Sequence, residues 1–210
     1  MIRAATPAGR RIMMELLQSP EAPCSARALA ARTGLSPAVA NDVLRFLRFH
    51  GAIASSGAKA VRWRRLAGLA SQLRLADIVP SRIVKADVGA EEAYHRLRQH
   101  GIPAVLCFTT AANRWAYFEP DPAVHITVPM RKAASGVLAL QEGDGSRTKG
   151  ALEIHLYEDD LESLDTEDLG GLRLTSRLQT WLDLQQFPHA GAHAAFFEQI
   201  VARLHPEATR

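Results

Sequence analysis

The chain has 210 residues, of which 47% are hydrophobic, and a formal net charge of +3; this length predicts two domains rather than one. No run approaches the roughly 18 uncharged apolar residues of a membrane span, and the first residues lack a signal-peptide core, so we expect a cytoplasmic protein without membrane contact. The two cysteines, Cys24 and Cys107, form neither a CxxC metal motif nor a disulfide framework, and we expect both to be reduced and structural.

The positive charge is concentrated in the first third of the chain. Residues 1–66 hold eleven lysines and arginines against three acidic residues, a net charge of +8, so the remainder carries −5 of the total of +3. A basic segment joined to an acidic one indicates a module that binds a polyanion, attached to a part with a different partner. Surface arginines that only keep a small domain in solution would give the same charge.

Three helices with clear start and stop signals are predicted in this basic segment. The first, Pro7 to Gln18, is ended by Ser19-Pro20. Ser25 is the N-cap of a short second helix, which Thr33-Gly34 closes because glycine can take a positive φ. Ser36-Pro37 then supplies an N-cap and a proline at the first helical position of the third helix. This order of caps and turn glycine predicts a helix-turn-helix.

The third helix, from Pro37 to about His50, has two different faces. A predicted core stripe about 100° wide consists of Val39, Val43, Phe46 and Leu47. The residues predicted to contact DNA from the opposite side are Ser36, Ala38, Asn41, Arg45 and Arg48. Arginine pairs with guanine O6 and N7, and asparagine with adenine N6 and N7, so this face suits a major groove. Any surface helix also has polar residues on its outer face, which is the simpler alternative.

The segment after Gly51 predicts a β-hairpin wing. Two strand-like runs, Ala52 to Ser55 and Ala60 to Arg64, flank a glycine turn. In the second run cationic and apolar residues alternate, which places the cations on one face. The wing residues predicted to contact phosphate are Lys59, Arg62, Arg64 and Arg65. Such contacts add affinity rather than sequence preference.

Beyond residue 66 we expect a helical linker over 67–80 and an α+β domain over 81–210. Leu66 to Val79 is predicted to be one helix or a pair of helices, and the other predicted helices are Glu91 to His100, Leu174 to Gln186 and Ala190 to Leu204. The predicted strands are Ala104 to Thr109, His125 to Pro129 and Ala151 to Tyr157, with a surface loop over Gln141 to Gly150. The whole chain is therefore predicted to be α+β, an N-terminal winged helix-turn-helix in residues 1–66 followed by a mixed α/β domain.

This second part of the chain shows little sign of chemistry. Glu158-Asp159-Asp160 follows a predicted strand, but adjacent carboxylates point different ways and are typical of a helix cap or turn. His189 and His193 have i, i+4 spacing, but Pro188 and Gly191 disturb the helix and the glutamate of a zincin motif is missing. The sequence has no phosphate-binding loop, dinucleotide motif or nucleophile elbow. We therefore predict no catalytic residues, no metal and no cofactor, and a protein that is not an enzyme.

The C-terminal residues resemble a known family. The stretch Leu174 to Leu184, followed by Pro188-His189-Ala190-Gly191 and the helix Ala194 to Leu204, is similar to the closing segment of AbiEi-like antitoxins from type IV toxin–antitoxin systems. The order of parts is also similar, with a helix before Gly101-Ile102-Pro103 and a strand into Thr109-Thr110-Ala111-Ala112. The resemblance implies a regulator that represses its own operon, whose C-terminal domain antagonises a nucleotidyltransferase toxin without being catalytic.

The sequence as a whole predicts a transcriptional repressor that binds double-stranded DNA, an antitoxin-like protein that binds two half-sites as a homodimer. Two alternatives stay open: a protein-docking module that uses a winged helix, or a solitary regulator without a toxin partner. The chain departs from the family pattern at Phe108-Thr109-Thr110, where many members have a glycine, and at Ala192-His193, where the last helix usually begins with acidic residues. A nucleotidyltransferase-like enzyme is disfavoured because the Gly-Ser signature with a paired Asp-x-Asp is missing.

Overall fold

The structure is a computed structural model that describes residues 6–54, 61–73, 79–84, 88–116, 118, 121, 123–141, 151–157, 161, 164–185, 196 and 199. It is mixed α and β, as the sequence predicts. The described residues up to 73 belong to one compact unit, and those from 79 to 199 belong to a second. The predicted linker over 67–80 therefore includes the end of a helix in the first unit and the start of a strand in the second.

The first unit is helical in its described part. Its helices are α1 (Pro7–Gln18), α2 (Ala26–Thr33), α3 (Pro37–Phe49) and α4 (Trp63–Gln72). Side-chain hydroxyls cap the first three: Thr6 accepts from the Gly9 N–H at 3.2 Å, Ser25 from Ala28 at 3.2 Å and Ser36 from Val39 at 3.3 Å. Gly34 ends α2 with φ +69°, a left-handed conformation that residues with a Cβ rarely adopt. The three predicted helices are therefore confirmed.

The core of this unit is formed by the facing sides of the four helices. Its fully buried side chains larger than alanine are Ile12, Met13, Leu16, Leu17, Leu29, Val43, Leu44, Leu47 and Leu66. The predicted stripe on α3 is only partly right, because Val39 and Phe46 are half-buried while Ala40 and Leu44 are buried instead. The buried face is rotated from the predicted one, and the Phe46 ring packs on His50 with centroids 4.3 Å apart.

The predicted wing is not shown among the described residues. Ile53 and Val61 form a single antiparallel bridge, and the Arg62 N–H donates to the Ala52 carbonyl at 2.9 Å. The second predicted strand, Ala60 to Arg64, is wrong because α4 already begins at Trp63. The Trp63 indole N–H donates to the buried Leu17 carbonyl at 2.7 Å, which ties α4 to α1. Residues 55–60 lie outside the described part.

The second unit is built on a mixed sheet, which has six strands among the described residues. In chain order they are β1 (Val79–Val84), β2 (Val105–Leu106), β3 (Ala123–Pro129), β4 (Ala151–Tyr157), β5 (Thr166–Leu169) and β6 (Leu172–Thr175). Their order across the sheet is β1-β4-β3-β2-β6-β5. The helices of this unit are α5 (Ala90–Gln99), α6 (Phe108–Trp115), α7 (Ala133–Gln141) and α8 (Arg177–Leu184). Across the sheet the five pairs alternate between antiparallel and parallel, and β3 and β4 form one of the two parallel pairs.

Several predicted elements of the second unit need correction. The predicted helix Leu66 to Val79 ends at Gln72, and Val79 instead begins β1. In place of the predicted strand Ala104 to Thr109, the structure has the two-residue strand β2, because α6 already begins at Phe108. The buried residues of α6 follow helical spacing: Phe108, Ala111, Ala112 and Trp115. The predicted helix from Leu174 begins only at Arg177, after β6. The predicted helix Ala190 to Leu204 lies almost wholly outside the described residues.

The two faces of the central strands differ in chemistry. Ile126, Val128, Leu152 and Ile154 are buried on one face, where Val128 and Leu97 of α5 both lie close to Gly136 of α7. The other face carries His125 and Thr127 of β3 beside Glu153 and His155 of β4, since His125 is opposite Glu153 and Thr127 opposite His155. Phe108 of α6 lies over the two histidine rings. Polar groups therefore lie between the sheet and α6.

Candidate functional site

The exposed face of α3 carries the residues predicted to contact DNA. Ser36, Ala38, Asn41, Arg45 and Arg48 are all exposed. At about 100° per residue, Asn41, Arg45 and Arg48 fall within about 60° of one another, and Ala38 adjoins them. Ala40, Val43, Leu44 and Leu47 anchor the helix from its buried side. The helix thus presents one amide and two guanidinium groups from a backbone that its core contacts hold in place.

Arg45 is available to a ligand despite an acidic neighbour. Its guanidinium lies 3.6 Å from the Asp42 carboxylate, one helical turn away, and its side chain remains 75% exposed. An exposed i, i+3 pair is worth only a few tenths of a kcal/mol, about 0.2–0.5. Little interaction energy would therefore be lost if the Arg45 side chain turned from Asp42 to a ligand.

The remaining predicted cations are placed differently from the expectation. Arg62 precedes α4, and Arg64 and Arg65 lie in its first turn, so these three exposed residues do not alternate along a strand. The Arg65 guanidinium lies over Gly51, where a Cβ would meet Arg65 Cζ at 3.1 Å. Gly51 follows the end of α3 and has φ +66°. The Arg65 guanidinium therefore lies near the C-terminal end of α3, where a positive charge interacts favourably with the helix dipole. Lys59 lies outside the described residues.

Cys24 lies close to this surface, within electrostatic reach of Arg48 and Arg32. Burial raises the pKa of the half-buried thiol, and the two arginines only partly oppose that effect. Arg32 itself is engaged by the Glu15 carboxylate at 2.6 Å and the Pro23 carbonyl at 3.2 Å, so it links α2 to α1. Arg32 is thus occupied in packing, in contrast to Arg45.

A second polar cluster lies on the α6 face of the sheet and includes no residue that the sequence reasoning had singled out. His125 Nδ1 lies 2.9 Å from His155 Nε2 and 3.4 Å from Glu153 Oε2, and His155 Nε2 lies 3.9 Å from that same oxygen. The two histidines are 1% exposed, and their rings are stacked at 15° with centroids 5.2 Å apart. Three potential metal ligands thus converge on one point.

Asp121 contacts Nε2 of His125, the ring nitrogen that faces away from His155. Its Oδ2 lies 3.0 Å from His125 Nε2 and also accepts from the Thr109 hydroxyl at 2.8 Å, while Oδ1 accepts from the Ala123 N–H at 2.8 Å. Burial raises the pKa of Asp121, but these hydrogen bonds together outweigh it and the pKa is lowered. Asp121 is therefore an anion that orients the imidazole of His125.

Burial also keeps two nearby groups, the imidazole of His155 and the thiol of Cys107, in their uncharged forms. Burial, and secondly the charge of His125, lower the pKa of His155 to about 3. Burial raises the pKa of Cys107, and the carboxylates of Asp183 and Glu153 raise it further, so this fully buried thiol stays protonated. His155 is consequently a neutral imidazole at ordinary pH, the form that binds metals.

The sequence contains a signal for this cluster in two predicted strands. Strands over 125–129 and 151–157 are both predicted, and both are confirmed with small changes in bounds. Glu153 and His155 are two residues apart, so on a strand they share one face. The metal candidates of the sequence analysis lie outside the described part of the chain: Glu158-Asp159-Asp160, His189 and His193.

Comparisons with protein-family models, with curated proteins and with solved structures found no match. Among the described residues, no helix is both long and apolar enough to cross a membrane.

Proposed function

We propose that the first unit binds duplex DNA, with α3 in the major groove, and that the chain is a transcriptional regulator. The observation that carries the proposal is the two-sided helix α3, whose buried side packs in the core while Asn41, Arg45 and Arg48 project together from the other side. The segment of residues 1–66 that surrounds it has a net charge of +8.

The proposed roles follow from side-chain chemistry. Arg45 and Arg48 suit guanine O6 and N7, and Asn41 suits adenine N6 and N7, so these three would read bases. Ser36 and Ala38, at the start of α3, would approach the groove edge, where phosphate contacts near a helix N-terminus are common. Lys59, Arg62, Arg64 and Arg65 would contact phosphates and supply affinity that depends on salt.

The test starts from a pool of random duplexes, since the operator is not known. Duplexes selected by the full chain are expected to share a short motif. On that motif Arg45→Ala should weaken binding by about 1 to 3 kcal/mol. Arg98→Ala is the matched control, because Arg98 is an exposed arginine on α5 of the second unit. Equal affinities for the two variants would contradict the base-reading role.

A protein-docking role is the second candidate, and Phe49 is the observation that favours it. Phe49 ends α3 and is 85% exposed, with its ring against His50. An exposed aromatic residue on a helix is typical of a protein contact. A salt titration separates the two functions: failure to bind any duplex at about 50 mM salt would favour docking.

The more specific role is an autorepressing antitoxin of a type IV system, with a nucleotidyltransferase toxin acting in the same system. This part of the proposal is supported by the resemblance of the C-terminal stretch. Its test is co-expression of the chain with a nucleotidyltransferase encoded beside it. Growth should be restored by the chain, and also by a variant with Arg45→Ala, since the antitoxin activity would belong to the second unit. A toxin that the chain leaves active would limit the proposal to a solitary regulator.

A further inference from the structure

We propose that His125, His155 and Glu153 bind a divalent transition-metal ion of the Zn²⁺ type on the α6 face of the sheet in the second unit. This inference is independent of the proposed DNA binding, because it rests on residues of the second unit alone.

The backbone places the three ligands on one face. His125 on β3 is directly opposite Glu153 on β4 in the parallel pair, and His155 follows Glu153 by two residues. Side chains two residues apart on a strand point the same way, as do those of directly paired residues. The site is thus built from the two longest parallel neighbours of the sheet.

The distances between ligand atoms fit a tetrahedral ion. With bonds of about 2.0–2.1 Å to nitrogen and oxygen, the ligands of tetrahedral Zn²⁺ lie about 3.3 Å from one another. The three distances here, 2.9, 3.4 and 3.9 Å, lie on either side of that value. Small side-chain rotations would therefore complete the geometry.

The proton positions also suit a cation. When His125 donates from Nε2 to Asp121, its Nδ1 carries a lone pair that faces the His155 ring and the Glu153 carboxylate. A carboxylate behind a ligating histidine is the usual arrangement at metal sites, because it fixes the tautomer. Three electron-rich atoms facing one point repel one another unless a proton or a metal ion lies between them.

Hydrogen bonds alone leave the cluster incomplete. His155 Nδ1, on the other side of the ring from the proposed ligand atom Nε2, is buried without a hydrogen-bond partner among the described residues, so the cluster engages this ring through Nε2. Burying two imidazoles beside a carboxylate costs free energy. An ion bound to His155 Nε2 and the other two ligand atoms would offset part of that cost. Phe108, whose left-handed backbone has φ +50°, closes the site from the α6 side with its ring centroid 4.5 Å from that of His155.

The donor set indicates the class of ion and one open position. Two imidazole nitrogens and one carboxylate oxygen favour Zn²⁺, Co²⁺ or Fe²⁺ over Mg²⁺ and Ca²⁺, which prefer oxygen ligands throughout. Three protein ligands leave a coordination position for water or a small ligand. The Glu153 side chain is 28% exposed and that of Asp121 is 25% exposed, so the site is reached from their side.

The test uses the full chain, freed of metal with a chelator and titrated with Zn²⁺ against a chromogenic competitor, and with Co²⁺ followed by visible absorption. We expect one site whose affinity falls by more than 100-fold in Glu153→Gln and in His155→Ala, and by about 10- to 100-fold in Asp121→Asn. His95→Ala, at an exposed position of α5, is the matched control and should bind like the wild type.

Glu153→Gln guards against loss of fold, since it changes a partly exposed side chain by one atom and thermal melting without metal should be unaltered. The absorption of tetrahedral Co²⁺ in the wild type, absent from Glu153→Gln, would support the site. Zn²⁺ binding that survives in both ligand variants places the ion elsewhere and overturns the proposal. A wild-type chain that binds no Zn²⁺ also overturns it.

Discussion

The two units place their polar side chains in opposite ways. In the first, the cations and the amide of α3 point outward from an apolar core, and Arg45 is 75% exposed. In the second, two histidines that are 1% exposed lie between the sheet and a helix. Exposed polar groups keep their hydration, so they cost the fold little free energy and suit a large, solvated partner such as a duplex. Buried polar groups lose their hydration at a cost in free energy, and they suit a small ion that takes the place of water. The two proposed partners, a duplex for the first unit and a metal ion for the second, follow from this difference.

The largest expected effect tests which side of α3 faces the core. Leu44→Ala should reduce the free energy of unfolding by about 2 to 5 kcal/mol, because it removes a side chain that is 1% exposed. Phe46→Ala should cost clearly less, since Phe46 is only half-buried. Urea unfolding followed by circular dichroism measures both. If Phe46→Ala reduced the free energy of unfolding more than Leu44→Ala, the buried face of α3 would be the one predicted from the sequence.

A second prediction concerns the buried histidines in the metal-free chain. His155 has a pKa of about 3 when folded, below the 6.5 of an unfolded histidine. The unfolded chain therefore takes up a proton that the folded chain refuses, and stability falls as pH decreases from about 6.5 towards 3, by up to about 1.4 kcal/mol per unit. The titratable groups around this ring are His125 and Glu153, which lie beside it, and Asp121, which contacts His125.

The measurement is the free energy of unfolding between about pH 7 and 4.5 with chelator present, compared with His155→Gln. The variant should lose less stability on acidification than the wild type, and His95→Gln should follow the wild type. Parallel pH profiles for all three would show that His155 is not held neutral by the fold.

The sequence predicted the first unit better than the second, and the reason is local. The caps Ser25 and Ser36, the proline at the start of α3 and Gly34 act within one turn of themselves, so their signals need no tertiary context. The sequence alone does not determine which side of α3 is buried, because Val39, Val43, Leu44 and Phe46 are all apolar. Packing against the neighbouring helices decides which of them face the core.

The second unit depends on contacts that the sequence does not display. Thr109 and Thr110 favour a strand locally, yet α6 forms because its Ala111, Ala112 and Trp115 face the core. The Gly170-Gly171 turn between β5 and β6, with φ +59° and +82°, was a hairpin signal that the prediction missed. The histidine cluster requires β3 and β4 to be parallel neighbours, and that pairing joins residues about thirty positions apart.

A smaller effect is expected at the N-cap of α3. Ser36→Ala should destabilise the first unit by about 0.5 to 2 kcal/mol, because the Val39 N–H loses its partner, whereas Ser36→Gly should cost a few tenths, about 0.2–0.4. Ser25→Ala on α2 is the matched comparison, since it removes an equivalent cap at 3.2 Å. Thermal melting measures all three. If Ser36→Ala alone weakened DNA binding without changing the melt, the hydroxyl would be a phosphate contact as well as a cap.

The central claim is that the outer face of α3 reads base pairs, and the most direct test is discrimination between them. Affinities of the wild type and of Arg48→Ala would be measured for the selected duplex and for every single base-pair change in it. The account predicts that the variant becomes indifferent at one position, where the wild type discriminates by about 1 to 3 kcal/mol, and keeps its discrimination elsewhere. A variant that weakens equally on every duplex, with no position relaxed, would show that Arg48 contacts only phosphate and would contradict the claim for this residue.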